Sequence, residues 1–152
     1  MLNDLKRAAV AALVAFGLCL PSIAGAALLF SRGSLEIETH AGPVTLDIEI
    51  ADTEARRSQG LMFRRELGPK QGMIFLFDED RVVTMWMKNT YIPLDMVFID
   101  KDWRIANIAR NTEPLSTDIV SSGAPVSRTL EIAGGQADKL GLKTGDRVVF
   151  KP

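Results

Sequence analysis

The chain has 152 residues, of which 47% are apolar and 24% are charged, and its formal net charge is −1. This composition is typical of one ordinary globular domain and excludes a disordered tail or a collagen-like repeat. The apolar residues are concentrated near the N-terminus, so that region is interpreted first.

The first 26 residues have the three-part layout of a secretory signal peptide. Lys6 and Arg7 form the basic part, residues 8–20 are uncharged, and the small residues Ala24-Gly25-Ala26 form a cleavage site. The 13 uncharged residues are fewer than the roughly 20 that a membrane-spanning helix needs. We therefore expect cleavage after Ala26 and a periplasmic or secreted protein with no membrane attachment. The alternative is an uncleaved anchor, since residues 27–30 prolong the apolar run.

Cleavage at this point changes both the thiol content and the charge of the chain. Cys19 is the only cysteine, so the mature chain of 126 residues would have no disulfide and no cysteine nucleophile. Loss of Lys6, Arg7 and Asp4 leaves 16 basic and 18 acidic residues, a net charge of −2, with no basic run. Nucleic acid is not an expected partner, because its phosphates require a cationic surface.

After a short lead over residues 27–34, residues 35–151 are predicted to form one β-rich domain. Its apolar residues occur in short runs that are separated by turn residues, as in strands. Strands are predicted over residues 35–37, 44–50, 73–77, 82–87, 94–99, 104–110, 128–132 and 147–150. Asp52 or Thr53 predicts the start, and Gly60 the end, of a short helix over about residues 53–59.

The connections between these strands complete the predicted architecture. Residues 78–80 are predicted to form a turn, residues 111–127 a long surface loop, and residues 136–140 a second short helix. Strands so close in sequence pair most readily as antiparallel neighbours. The sequence therefore predicts a mainly β fold, an antiparallel β-sandwich or partly closed barrel with one or two short helices.

Residues typical of enzymes and metal sites are sparse in the mature chain. His40, the only histidine, lies in a predicted turn, and no Gly-x-Ser-x-Gly motif accompanies it, so a serine hydrolase triad is not expected. The acidic segments 78–80 and 100–102 lack the pattern of a calcium loop, and zinc ligands are missing. We expect no metal and no cofactor. The methionines are interpreted as core residues, with monovalent copper binding as the alternative.

The most informative segment runs from Thr84 to Ile99. Asp95 interrupts an apolar strand in this segment, where an unpaired carboxylate would cost several kcal/mol, so a cationic or amide-rich group should face it. The candidates for that group are Lys88, Asn89, Arg64 and Arg65. In one interpretation Asp95 only fixes the preceding loop through backbone hydrogen bonds. In the other, Trp86, Lys88 and Asn89 line a cleft for a polar ligand together with Asp95.

Several motifs, taken together, are specific enough to suggest a family. They are Gly60-Leu-Met-Phe-Arg-Arg-Glu-Leu67, Gly72-Met-Ile-Phe75, Met85-Trp-Met-Lys-Asn-Thr-Tyr-Ile-Pro-Leu-Asp-Met-Val-Phe-Ile99, Leu130-Glu-Ile-Ala-Gly-Gly135 and Gly145-Asp146. From about Leu35 to Phe150 the chain resembles the domain of unknown function family 192. The resemblance implies a small, often exported bacterial β domain with no established activity. It assigns no catalytic residue. The positions that match the family pattern are candidates for ligand binding: Arg64, Trp86, Lys88, Asn89, Thr90, Asp95 and Glu131.

Three functions are compatible with these residues. The first is a non-catalytic binding module for a polar, carbohydrate-like small molecule or for an envelope protein, and it fits the missing nucleophile–base pair. The second is a hydrolase or lyase that uses Asp95 and Glu131 as an acid–base pair, which for a glycosidic bond requires their oxygens to lie about 5–10 Å apart. The third is PDZ-like peptide binding, suggested by residues 141–146, although an ordinary tight turn has the same residues.

Overall fold

A computed structural model describes residues 28–152. These residues form strands and short helices in the chain order β1 (Ser31–Thr39), β2 (Gly42–Ala51), α1 (Glu54–Gln59), β3 (Gln71–Met85), β4 (Leu94–Ile99), β5 (Ile105–Thr112), β6 (Val120–Ala133), α2 (Gln136–Lys139) and β7 (Arg147–Lys151). The predicted signal peptide, residues 1–26, lies outside the described part. Within the described part, no helix is long and apolar enough to cross a membrane.

The strands form a single sheet in the order β5-β4-β6-β3-β2-β1-β7. All neighbours are antiparallel except β2 and β3, which are parallel because the connection through α1 is long enough to return the chain. The sheet is not closed, but Arg104, just before β5, bridges to Arg147 of β7 and brings the two edges together. The prediction of a mainly β sandwich or partly closed barrel with one or two short helices is confirmed.

Helix α1 begins and ends where its sequence predicts. The Thr53 hydroxyl oxygen accepts a hydrogen bond from the backbone N–H of Arg56 at 3.2 Å, which satisfies a free amide of the first turn. Gly60 ends the helix with a positive φ of 47°, a conformation that costs glycine little. The chain then turns back over the sheet and packs Leu61 against it.

The acidic segment 78–80 was predicted to be a turn, and this prediction is wrong. The segment lies within β3, where the pairing with β6 shifts from Leu76 opposite Arg128 to Arg81 opposite Val126. The extra residues form a bulge, which leaves their carboxylates exposed to water without ending the strand.

Residues 120–127 were predicted to belong to a loop, but they form the first half of β6. Their sequence has no regular period because the ladder with β3 is irregular here. The Ser122 hydroxyl accepts a hydrogen bond from the Val83 N–H at 3.0 Å and donates one to the Ala124 carbonyl at 2.7 Å, and so replaces missing ladder bonds. Pro125, which has no N–H, is tolerated at this irregularity.

The sheet buries apolar side chains on both of its faces, and strand β4 shows this most clearly because all six of its residues are buried. Val97 and Ile99 face what we call the first core, which α2 covers through Ala137. Met96 and Phe98 face the second core, which is covered by the chain after α1 and by the loop after β3.

Candidate functional site

Glu131 lies on β6 and projects into the second core. Its register partners are Met73 of β3 and Met96 of β4, which are both fully buried members of that core. Glu131 itself is 4% exposed. Among residues 28–152, none forms a hydrogen bond or an ion pair with its carboxyl group. A carboxyl group therefore lies among methionine and phenylalanine side chains without a polar partner.

Burial raises the pKa of the Glu131 carboxyl from 4.5 to about 8, because no charge or hydrogen bond stabilises the ionised form. At pH 7 the group is mainly the neutral acid, with one O–H donor and one carbonyl acceptor. Leaving a buried polar group unpaired costs about 1–3 kcal/mol. An unpaired group of this kind in a folded protein requires an explanation.

A cleft of about 330 Å³ beside Glu131 supplies that explanation. We call it the Glu131 cleft. Its walls come from α1 and the chain after it, from β3, and from the loop that follows β3. Its polar side chains belong to Glu54, Arg57, Ser58, Gln59, Arg81, Thr84, Lys88, Thr90 and Glu131. Since Glu131 is the most deeply buried of the charged residues in this set, a molecule in the cleft would meet the neutral acid at the inner end.

Trp86 and Lys88 form one side of the cleft mouth. Trp86 follows directly after β3 and is 51% exposed, which is unusual for so large an apolar side chain. The Lys88 ammonium lies 5.2 Å from the centre of the indole ring, within cation–π distance. Thr90 lies deeper, at 5% exposure, and its N–H donates to the Met87 carbonyl at 3.0 Å. That bond closes the turn that holds Lys88 at the mouth.

Asn89 supports this loop from outside the cleft. Its backbone has a φ of 56°, a region that asparagine tolerates better than most residues. Its carbonyl accepts the Phe63 N–H at 2.8 Å, and its side-chain amide lies 3.8 Å from the Met62 sulfur. Asn89 thus attaches the loop to the chain after α1, and it is not one of the residues that line the Glu131 cleft.

Asp95 lies on the face of the sheet opposite to Glu131. Its Oδ1 accepts the N–H groups of Asn111 at 2.8 Å and Gly135 at 3.0 Å, and its Oδ2 accepts the Ala137 N–H at 2.7 Å. These bonds join β4 to the end of β5 and to the start of α2. The hydrogen-bond partners of the Asp95 carboxylate are therefore backbone amides. These bonds fix the end of β5 and the start of α2, and not the loop that precedes β4.

The predicted acid–base pair of Asp95 and Glu131 is not formed. Asp95 is opposite Ile132 and Glu131 is opposite Met96, and neighbouring residues of a strand point to opposite faces. Asp95 faces the first core beside α2, while Glu131 faces the second core and the cleft. A substrate in the Glu131 cleft would meet only one of the two carboxyl groups.

Arg64 also lies apart from the Glu131 cleft. Its guanidinium forms an ion pair with Glu49 of β2, and both residues line a second depression with Arg32 and Gln71. The ion pair satisfies Arg64 within the protein.

The structure thus brings together Trp86, Lys88, Thr90 and Glu131, and it adds residues outside the predicted set, among them two arginines. Arg57 of α1 donates to the Leu76 carbonyl at 2.9 Å, which aligns its guanidinium with β3. Arg81 of β3 lies over the Phe77 ring at 5.5 Å. No local sequence signal reveals them, because their position depends on the parallel crossover through α1 and on the bulge of β3.

Within residues 28–152 no three His, Cys, Asp or Glu side chains cluster as metal ligands. Met73, Met87 and Met96 are fully buried in the second core. Their packing favours the interpretation of these methionines as core residues.

Comparison with known proteins places this architecture in a family. The model of the family DUF192, described as an uncharacterized ACR, matches residues 36–150. The chain belongs to this family, which confirms the resemblance that its motifs suggested. No curated protein matches the chain.

Two crystal structures are similar to the chain. One, from Sinorhizobium meliloti 1021 and provisionally described as a transcription regulator, is 41% identical with a TM-score of 0.78, and the match covers 81% of this chain and 96% of that chain. The other is a protein of unknown function from Novosphingobium aromaticivorans DSM 12444. It is also 41% identical, with a TM-score of 0.76, and the match covers 78% of this chain and 84% of that chain.

Proposed function

We propose that the protein is an exported, non-catalytic binding module for a small polar ligand, which occupies the Glu131 cleft. The observation that carries this proposal is the Glu131 carboxyl, buried at 4% exposure without a polar partner at the inner end of a cleft of about 330 Å³. A ligand hydroxyl or carbonyl would supply the missing hydrogen bonds. Binding would then recover the free energy that the unpaired group costs.

The mouth of the cleft supports the same function. Binding sites commonly combine an aromatic face with a few convergent polar groups. Trp86 presents a half-exposed indole there, and Lys88 and Thr90 present polar atoms on the same loop. Since Trp86 contributes little to either core, its exposure is better explained by contact with a ligand than by folding.

Catalysis by a carboxylate pair is not favoured. Asp95 is 0% exposed and its oxygens accept three backbone N–H groups on the opposite face of the sheet, so a substrate in the Glu131 cleft does not reach it. The PDZ-like loop is an ordinary turn in which the Lys143 N–H donates to the Asp146 carboxylate at 2.9 Å.

The description of the Sinorhizobium structure as a transcription regulator suggests DNA as a ligand. The net charge of −2 that remains after residue 26 argues against DNA binding here.

Export is proposed from the sequence of residues 1–26. The intact mass of the protein isolated from the cell envelope tests it. We expect the mass of the chain that begins at Ala27. Recovery of the full precursor mass in membranes would contradict cleavage and indicate an anchor.

Native mass spectrometry of the protein isolated from its own cell envelope tests the binding function. We expect a bound small molecule on the wild-type protein. It should be lost from Trp86→Ala and from Glu131→Leu, which removes both the donor and the acceptor of the neutral acid, while the exposed-site control Glu38→Gln retains it. A wild-type protein that carries no ligand, and that no polar small molecule stabilises against heat, would overturn the proposal.

A further inference from the structure

The loop after β3 carries two aromatic rings, and a cation lies over each of them, one from the same loop and one from the chain after α1. Lys88 lies over Trp86 at 5.2 Å, and Arg65 lies over Tyr91 at 5.6 Å. Both rings are exposed, by 51% for Trp86 and by 44% for Tyr91. Phe63 packs edge-on against Tyr91 with 6.2 Å between the ring centres. Exposed aromatic rings therefore lie at the cleft mouth and at the far end of the loop.

Three cations, Arg57, Arg81 and Lys88, line the Glu131 cleft together with one exposed carboxylate, Glu54. Within the part of the chain that the structure describes, neither Arg81 nor Lys88 lies within 4 Å of a carboxylate oxygen. Arg57 has a carboxylate neighbour, Asp78, at 3.5 Å. Glu131 is neutral at pH 7. Two unpaired cations thus lie in a cleft whose inner carboxyl group does not repel an anion.

The aromatic surface is held in place by strained backbone. Phe63, Asn89 and Leu115 all have positive φ, between 56° and 65°. Two hydrogen bonds tie their loops together, from the Phe63 N–H to the Asn89 carbonyl at 2.8 Å and from the Leu115 N–H to the Thr90 carbonyl at 3.0 Å. Such strain persists only where the surroundings enforce it, and it is concentrated at functional sites. The loop is consequently preorganised, which reduces the entropy cost of binding.

We propose that the ligand of the Glu131 cleft is an acidic oligosaccharide, with its carboxylates at Arg81 and Lys88 and its chain extending over Trp86 towards Tyr91. The apolar faces of sugar rings suit exposed aromatic rings, and their hydroxyls suit a neutral acid that both donates and accepts. Carboxylates on the sugar suit the two unpaired cations. This inference names the ligand class of the proposed binding function and rests on that function.

A pair of probes that differ only in charge tests the inference. Trigalacturonate and its counterpart with every carboxylate reduced to a primary alcohol are titrated into the protein isolated from its own cell, by isothermal calorimetry at low salt. We expect the acidic probe to bind at least tenfold more tightly. Arg81→Gln and Lys88→Gln should each weaken only the acidic probe, by about fivefold, while the control Lys101→Gln, in an exposed turn, changes neither probe.

The outcomes separate this inference from the proposed function. Equal binding of the two probes, or binding of the neutral probe alone, would overturn the acidic ligand and leave a polar binding module. Binding of a single-stranded oligonucleotide in place of both sugars would also overturn it. If none of these probes binds, the inference is wrong, and native mass spectrometry decides the proposed function independently. Melting curves confirm that each variant is folded, since both substituted side chains lie at the surface.

Discussion

Asp95 and Glu131 are two buried carboxyl groups on neighbouring strands of one sheet, and their surroundings differ completely. Asp95 accepts three backbone N–H groups at 2.7–3.0 Å beside α2. Glu131 accepts none from residues 28–152, and its register partners on both neighbouring strands are buried methionines. The first carboxylate joins segments of the fold. The second weakens the fold, so its retention is better explained by a ligand than by stability.

Removing the Asp95 carboxylate should have the largest effect on stability. Asp95→Asn replaces one acceptor oxygen by an N–H₂ group that faces backbone N–H donors, so we expect a loss of about 3–5 kcal/mol in the free energy of unfolding. Urea denaturation measures it. Asp138→Asn is the control, because its exposed ion pair with Arg110 contributes about 1 kcal/mol or less. Equal, small losses in both variants would show that Asp95 is not structural.

Glu131→Gln should change how stability depends on pH. The pKa of Glu131 is about 8 in the folded protein and about 4.5 in the unfolded chain, so the folded state binds more protons between these values. Its contribution to the free energy of unfolding therefore falls as pH rises from 4.5 to 8. Glutamine does not titrate. Relative to wild type, the variant should gain about 4–5 kcal/mol between pH 4 and pH 9 in urea denaturation.

A constant difference between Glu131→Gln and wild type over this pH range would contradict the buried neutral acid. Glu38→Gln is the control, since Glu38 is exposed on β1 and should show no such change.

Thr129 tests whether the Glu131 face carries other unpaired polar groups. Its hydroxyl is fully buried two residues from Glu131, without a hydrogen-bond partner in the described chain. Thr129→Val removes the hydroxyl with little change of shape, so we expect a gain of about 1 kcal/mol in thermal or urea unfolding. A loss of similar size would mean that the hydroxyl has a polar partner in solution.

Lys88→Ala should have the smallest effect on folding. The side chain is exposed at the cleft mouth and lies over the Trp86 ring, so we expect a change below about 0.5 kcal/mol. Binding should nevertheless be lost or clearly weakened. A variant that binds as wild type does, at equal abundance, would remove Lys88 from the site.

Much of the fold follows from local sequence signals. Alternating apolar residues mark β1 and β2, and Thr53 with Gly60 marks α1. The signals fail where tertiary contacts decide the structure. Residues 120–127 become a strand only because Ser122 and a shifted register compensate for Pro125, and no short-range pattern encodes that arrangement.

The site was predictable only in part, for a related reason. A carboxylate in an apolar strand predicted that Asp95 has polar partners, but these are backbone N–H groups near α2 and not the side chains of Lys88, Asn89, Arg64 or Arg65. The motif around Trp86 and Lys88 led to one side of the cleft. Glu131 followed only from the family resemblance. The neighbours of Glu131 are set by the register in which β3 and β4 pair with β6, and this register places two methionines beside it. The spacing of residues in the sequence does not specify the register between strands.

The most direct test of this account is the titration of the Glu131 side-chain carboxyl, followed by its ¹³C NMR shift in the folded protein and assigned with Glu131→Gln. We predict a midpoint near 8, because burial without a polar partner favours the neutral acid. A midpoint near the ordinary value of 4.5 would show that the carboxyl is hydrated or paired, and would contradict the central claim that an unpaired neutral acid lies at the inner end of the cleft.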